Sequence, residues 1–322
     1  MKKYLDRLKF GVSNSSFPLY AQYVKFIDNK IITCNDEAYV SVDMPTEFDG
    51  SVNFFVLEEF LRKTSDDAKM KQKKNTLVIS DGHLRTSLPV LQFKTPILPN
   101  THPEKVYITE GIYDVLMLAS KFTGDGLYSS ICVEGNSVYS TNIHRLFHTT
   151  LPHLVLKELL GLDKKVLSFI KVGDYIGIDK NKIIVDFKDG YAIFTMNNIS
   201  RYPTEKMDVF ISDSTKNVRK LCSVQQIQLP CQQLSPIFFG EQESEVSIIN
   251  KGKKALIVAE SLINGRAEIE IETELDEEYS INIDSSFFKG IPSDFDVFIG
   301  DRKNILSLKD SKSMVFLVGT NL

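Results

Sequence analysis

The sequence carries the same order of segments twice, about a third of its length apart. "DNKIITCND" (28–36) and "GNSVYSTNI" (135–143) each follow a Leu-Tyr pair, Leu19-Tyr20 and Leu127-Tyr128. Each leads to a strand ended by proline, "YVSVDMP" and "LFHTTLP". Next come two runs with helical apolar spacing, "VLEEFLRK" from Val56 and "VLKELLGL" from Val155. Both are followed by a strand, an Asp-Gly turn and a strand, in "NTLVISDGHLRTSLP" and "NKIIVDFKDGYAIFTM". Asp-Gly between alternating apolar runs predicts a hairpin. A chain that repeats in this way must build like modules.

The remainder, from about residue 205, follows the same order more loosely. "SDSTKNVRKLCSVQQ" begins with capping residues and has helical spacing, and "DSSFFKGI" fits a short second helix. "KALIVAESL" and "AEIEIETEL" are strands, the second alternating acid with apolar side chains, so one face is wet and one buried. "NILSLKDSKSMVFLVG" repeats the strand, polar turn and strand ending. Polar, proline-bearing joints at "PILPNTHPEK" (96–105) and "RYPTEK" (201–206) divide the chain into 1–100, 101–204 and 205–322. The mixture of short strands and helices predicts an α+β fold.

Several function classes drop out. Hydrophobic residues make up 43% and charged residues 25%, the balance of a folded soluble chain. No apolar run reaches the roughly eighteen residues of a membrane helix, and the basic start "MKKYLDRLKFG" has no apolar segment behind it, so neither membrane nor secretion is expected. Cys34, Cys132, Cys222 and Cys231 form no C-x-x-C pair and read as scattered reduced thiols. His83, His102, His144, His148 and His153 show no H-E-x-x-H spacing, and His144 and His148 fall on an expected strand rather than one helical face. No G-x-S-x-G and no G-x-x-x-x-G-K-[ST] occurs. No metal, no cofactor and no enzymatic activity are expected.

With this order of segments in place, "VYSTNIHRL", "ISRYP" and the closing strand "MVFLVGTNL" carry a resemblance. The chain resembles, over its full length, the bacterial DNA polymerase III beta subunit, the sliding clamp. The resemblance implies three repeated domains, each an antiparallel sheet with two helices, and a head-to-tail homodimer closed into a ring around duplex DNA. It implies a processivity factor on DNA in a bacterial or phage-infected cytoplasm, set in place by an ATP-driven clamp loader and tethering a replicative DNA polymerase. It places Leu127, Thr141, His144, Arg145, Leu146, Pro203, Phe316 and Val318 in the pocket that takes up a short client peptide. Where the family has glycine this chain has Ile143, and it ends on "VGTNL" without the usual Met and Pro, so the preferred peptide is expected to differ. A phage or mobile-element clamp serving its own polymerase fits this drift.

Charge points the same way. Taken as residues 2–9, 56–74, 110–121, 155–165, 213–226 and 284–289, the six expected pore helices are net positive, although the whole chain carries −4. Cations on the helices would then face DNA while an acidic exterior repels stray polyanion. Lys2, Lys3, Arg7, Lys9, Arg62, Lys63, Lys121, Lys157, Lys164, Lys165, Lys216, Arg219 and Lys220 are the candidate phosphate contacts. Phosphate contacts carry no sequence readout, so binding to double-stranded DNA would be sequence-independent. The bland reading of each is a solvated surface charge.

Three rivals stand beside this. "VYITEGIYDVLMLA" (106–119) looks like the strand, Glu-Gly and helix of a toprim domain, which would make Glu110 catalytic with a metal. The single D-x-D, Asp294-Phe295-Asp296, lies far downstream of where that chemistry needs its ligands. A monomeric clamp-like factor would hold DNA by charge alone. A structural β-rich scaffold would hold none.

Overall fold

The computed structural model describes residues 1–15, 18–82, 84–101, 103–154, 156–197, 199–241, 244–302 and 304–319. His83, His102, Val155 and Thr320, Asn321 and Leu322 at the C-terminus lie outside them. The first part of the chain opens with helical turns at Lys2–Tyr4, α1 (Leu5–Leu8) and Lys9–Gly11. It continues with β1 (Tyr23–Ile27), β2 (Lys30–Cys34), β3 (Ala38–Asp43), β4 (Gly50–Asn53), α2 (Phe54–Lys63), β5 (Lys69–Lys73), β6 (Thr76–Asp81) and β7 (Leu84–Pro89). Then come β8 (Lys105–Tyr107), α3 (Glu110–Ala119), β9 (Ser130–Gly135), β10 (Ser137–Thr141) and β11 (Arg145–Thr150). They are followed by β12 (Leu156–Asp163), α4 (Lys164–Phe169), β13 (Tyr175–Asp179), β14 (Lys182–Phe187) and β15 (Gly190–Thr195). After α5 (Thr204–Ser214) the chain runs through β16 (Arg219–Ser223), α6 (Val224–Leu234), β17 (Glu245–Lys251), β18 (Lys254–Ser261), β19 (Gly265–Glu272) and β20 (Glu278–Asp284). A helical turn at Ser285–Phe288 leads to β21 (Asp296–Ile299), β22 (Ile305–Lys309) and β23 (Ser313–Val318).

One strand order recurs three times. β4-β1-β2-β3, β12-β9-β10-β11 and β20-β17-β18-β19 are each a three-strand meander whose fourth strand returns beside the first. The fourth strand ends each time on an acceptor, Asn53, Asp163 or Asp284, that takes a backbone N–H of the helix or turn that follows. These caps satisfy N–H groups that a helix start otherwise leaves without partners. The turns have their own chemistry: Asp28 and Asn29 join β1 to β2 at φ of 48° and 58°, the left-handed pair of a tight hairpin, and Gly135 joins β9 to β10 at 59°.

The chain divides into two compact units, Met1–Tyr113 with Leu162–Asn197, and Asp114–Gly161 with Asn198–Leu322. In the first, β4-β1-β2-β3 continues through β15-β14-β13-β8 as one eight-stranded sheet, and β5-β6-β7 form a separate sheet. The seam is the β3–β15 ladder, from Val42 against Gly190 to Ala38 against Phe194. A Cβ on Gly190 would stand 2.1 Å from the Ser41 carbonyl oxygen, so the glycine of the Asp-Gly turn also permits this seam. Ile32, Tyr39, Ile184, Tyr191 and Ile193 are buried across it. In the second unit β12-β9-β10-β11 continues through β23-β22-β21-β16, and β19-β18-β17-β20 stands as its own sheet. Its seam is the β11–β23 ladder, from Arg145 against Leu317 to Thr149 against Ser313.

Three expected helices are placed differently. The helix of 56–74 ends at Lys63, and Lys69–Lys73 is a strand whose lysines alternate with half-buried Met70 and Gln72. The run at 155–165 is strand β12, with α4 only from Lys164. Its leucines mimic helical spacing, but Gly161 lies tight against Ile199, where a Cβ would come within 2.9 Å, and the strand pairs along β9. Residues 213–226 hold the end of α5, strand β16 and the start of α6. The helix start there is Ser223 with Gln226, a reciprocal capping box, and the earlier Ser-Asp-Ser cluster closes a helix instead of opening one.

Candidate partner-peptide groove and nucleic-acid interface

α5 begins directly after Pro203 and buries Thr204, Met207, Ile211 and Ser214, the i, i+3, i+7 face of an amphipathic helix. That face packs on Tyr139, Leu146 and Phe316 from β10, β11 and β23, with Cys132, Ile199, Tyr202 and Ile305 completing the cluster. Phe210 meets Phe316 edge to face at 5.6 Å, and Tyr128 meets Tyr202 at 5.8 Å. Such pairs fix ring orientation beyond simple burial. Above the cluster an open groove of about 240 Å³ is bounded by Tyr128, Thr141, Ile143, Leu146, Met207, Phe210 and Val318, with Lys206 at its rim. Its walls are mostly apolar and its one cation sits at the edge, the layout that takes apolar side chains of an extended segment and orients them by a few polar groups.

Of the residues expected at a pocket, Thr141, Leu146 and Val318 line this groove, and Phe316 is in its floor. Leu127 packs against the same cluster, and Pro203 holds the start of α5. His144 and Arg145 do not form a polar wall. The His144 ring stacks on Phe287 at 5.8 Å, and its carbonyl accepts from the Val318 N–H at 3.0 Å. Arg145 turns to the other face of the sheet, donates to the Lys121 carbonyl at 3.1 Å and lies over the Phe122 ring at 5.3 Å. Burial pulls its pKa down from the ordinary value, against the opposing pull of Asp284. Ile143, expected to alter the pocket, lines the groove, while Tyr128, Lys206, Met207 and Phe210 are the residues that sequence reasoning missed. The 204, 207, 211 spacing was the available signal, hidden because "RYPTEK" reads as a joint.

Among the described residues, no Cys, His, Asp or Glu side chain lines this groove. Burial pushes the Cys132 thiol up to about 12, and Cys34, Cys222 and Cys231 to about 11, about 12 and about 12, so all four stay protonated and unreactive. Glu110 is the exposed first residue of α3, and Asp296 pairs with Lys220 at 3.3 Å. Among the described residues no group of three or more His, Cys, Asp and Glu side chains is placed to hold a metal ion. Among them, too, no helix is long and apolar enough to cross a membrane.

His148, beside the groove floor, contributes a pH dependence. Its ring lies 5.0 Å from that of Tyr139, and burial lowers its pKa, with Asp208 opposing. The folded chain therefore resists a proton that the unfolded chain accepts. Stability is full above the ordinary histidine range near 6.5 and falls as pH drops through it. The melting temperature should be lower at about pH 5.5 than at about pH 7.5, with a smaller drop in His148→Gln.

Most of the candidate phosphate contacts are exposed. Lys9, Lys121, Lys157 and Lys164 are among them; Lys121 reaches the Gly290 carbonyl, and Lys164 opens α4. Several candidates stand beside carboxylates. Lys3 pairs with Asp189 at 3.2 Å, Arg62 with Glu58 and Asp6, Lys63 with Glu59, Lys165 with Glu37, Lys216 with Asp213, and Lys220 with Glu274. Lys2 donates to the Thr64 carbonyl, and Arg219 pairs with Glu277. Lys216 lies between α5 and β16, while Arg219 and Lys220 lie on β16, not on a helix. Arg7 is a correction: it grips both carboxylate oxygens of Asp174 at 3.0 and 2.9 Å, between the rings of Phe169 and Phe187, and has no cation to offer a phosphate. Even so, burial raises the Asp174 pKa, outweighing the pull of Arg7.

No family model and no curated protein matches this sequence. Solved structures do. The Helicobacter pylori beta clamp bound to a DNA ligase peptide aligns with a TM-score of 0.79 at 14% identity, covering 100% of this chain and 97% of that one. A DNA polymerase III subunit beta sliding clamp from Pseudomonas aeruginosa, bound to griselimycin, aligns at 0.83 with 13% identity and the same coverage. A putative DNA polymerase III beta subunit from Eubacterium rectale aligns at 0.82 and 13% identity, again with that coverage. The chain has the fold of these clamps from end to end.

Proposed function

We propose that this chain is a DNA sliding clamp: two copies close head to tail around duplex DNA and tether a replicative polymerase through the groove beside α5. The observation that carries this is a count of sheet edges. At both seams the third strand of a meander, β3 or β11, pairs with the last strand of a following three-strand set, β15 or β23. Among the described residues, β19 and β7 hold the same two positions without such partners. Pairing β19 of one copy with β7 of the other, twice, would repeat at both open positions the seams that β3–β15 and β11–β23 make within the chain.

The two edges are chemically matched. β19 carries Glu268, Glu270 and Glu272 on its exposed face and Ala267, Ile269 and Ile271, half-buried, on the other. The β5-β6-β7 sheet carries Arg85 with Lys69, Lys71 and Lys73 on its exposed face, and Leu84, Thr86 and Leu88 on the other. Acid would face base, and apolar side chains would meet beneath.

In this reading the three repeats correspond to residues 1–100, 101–204 and 205–322, and the chain has no active site of its own. It works on DNA in a bacterial or phage-infected cytoplasm and depends on an ATP-driven loader to open the ring. The exposed lysines, with the weakly paired Lys3, Lys63 and Lys216, would touch phosphates without holding them. Each phosphate neutralised steepens the salt dependence by about 0.9 in the log-log slope, so a few weak contacts plus topology allow sliding where many would pin the ring. The Helicobacter pylori clamp takes a ligase peptide; the groove here has the apolar walls for a similar occupant. Light scattering should find the mass of two 36.5-kDa chains; a single chain at micromolar concentration would sink the reading.

A further inference from the structure

Six described residues other than glycine have positive φ, and five of them, Asp28, Asn29, Lys74, Lys180 and Asn217, are asparagine, aspartate or lysine between 48° and 58°. The sixth is Ile143, at 80°. A β-branched side chain is strongly disfavoured there, and such outliers persist only where the surroundings over-determine them. They do here. The Ile143 N–H donates to Thr141 Oγ1 at 3.0 Å, while Thr141 Oγ1 donates to the Arg145 carbonyl at 2.7 Å. The Arg145 N–H donates to Asn142 Oδ1 at 2.8 Å. The Asn142 N–H reaches the Arg145 carbonyl at 3.2 Å, and the Val318 N–H reaches the His144 carbonyl at 3.0 Å.

This locked loop gains nothing in packing from the isoleucine. Ile143 is 70% exposed, yet it is one of the residues bounding the groove. A strained backbone that presents an apolar branch to solvent at the mouth of an apolar groove is costly to the free chain and useful only to something that covers it.

We infer that Ile143 is a specificity-determining contact of the groove, an apolar rim that closes over an aliphatic or aromatic side chain of the client peptide. The inference rests on the groove being the client site. On this account the residue trades stability for grip. The client then carries a bulky apolar side chain next to the one that enters the groove floor, since a small or charged neighbour would leave Ile143 wet.

The test uses the full chain and a fluorescein-labelled hexapeptide with a Leu-Phe pair on a Gly-Ser background, beside its Ala-Ala counterpart, read by anisotropy. Wild type should bind the Leu-Phe peptide and not the Ala-Ala one. Ile143→Gly and Ile143→Asn should bind it roughly tenfold more weakly, yet melt roughly 2–6 °C higher because their backbones suit this φ. Ile143→Val, which keeps the branch, should bind nearly as wild type. Equal binding by Ile143→Gly and wild type, with Phe210→Ala weakened, overturns the role of Ile143 and leaves the groove standing. Equal binding by Phe210→Ala and wild type, or no binding by wild type, overturns the groove and this inference together. A lower melting temperature in Ile143→Gly contradicts the strain on which the inference is built.

Discussion

Ser87→Pro should convert a two-chain species into single chains without unfolding either unit. The Val90 N–H donates to Asn75, so by strand alternation the N–H groups of Leu88, Thr86 and Leu84 face β6, while that of Ser87 faces the open edge. Proline there leaves the β6 ladder intact, as Pro89 already does two residues on. It removes one donor and sets a ring where a partner strand must approach. The loss is about 2–3 kcal/mol for a ladder bond broken with its acceptor left buried. That weakens each of the two contacts in the ring roughly 30- to 150-fold, and ring closure by about the square of that factor. Ile269→Asp attacks the same contact from β19, placing an unpaired carboxylate where apolar side chains should meet. Both variants should keep the wild-type circular dichroism spectrum while light scattering reports one chain. A two-chain mass in both would show that these edges are not the contact.

The second large effect concerns the groove. Val318 closes it from the end of β23 and is only half-buried, so Val318→Asp adds a charge to the wall with little loss of core. An apolar client side chain would then have to desolvate that carboxylate, a cost of several kcal/mol. Affinity for the Leu-Phe hexapeptide should fall at least about 100-fold, to below detection at micromolar peptide. The mass of two chains should be unchanged, which separates peptide capture from ring closure. Retained peptide binding would place the client elsewhere.

The parts of this molecule that could be read from the sequence are those fixed by short-range chemistry. The hairpins at Asp81-Gly82 and Asp189-Gly190 were legible because their turns demand particular residues. The acid-apolar alternation of β19 was legible because one face is wet. The leucines of β12 misled because spacing alone cannot separate a buried strand from a helix, and Gly161 signals its close approach to Ile199 only once the strand is placed. α5 was missed because Pro203 reads as a breaker, although proline is equally at home where a helix begins. At the groove, the sequence pointed to His144 and Arg145 for their side chains. What stands beside the groove there is the His144 carbonyl, bonded to Val318, and the locked loop, while Arg145 lies on the opposite face of the sheet. Backbone roles leave no mark on residue type. Arg7 shows the same limit for charge: its buried pairing with Asp174 comes from a residue 167 positions away.

In the proposed ring the duplex is held by enclosure, and retention of the full chain on plasmid after loader-assisted assembly tests this directly, comparing a nicked circle with the same plasmid cut once, washed in high salt. A closed ring should stay long on the circle and be lost rapidly from the cut molecule, with Ser87→Pro lost from both. Equal retention on circle and linear DNA, declining steeply with salt, would mean that charge alone holds the protein, and enclosure would be wrong.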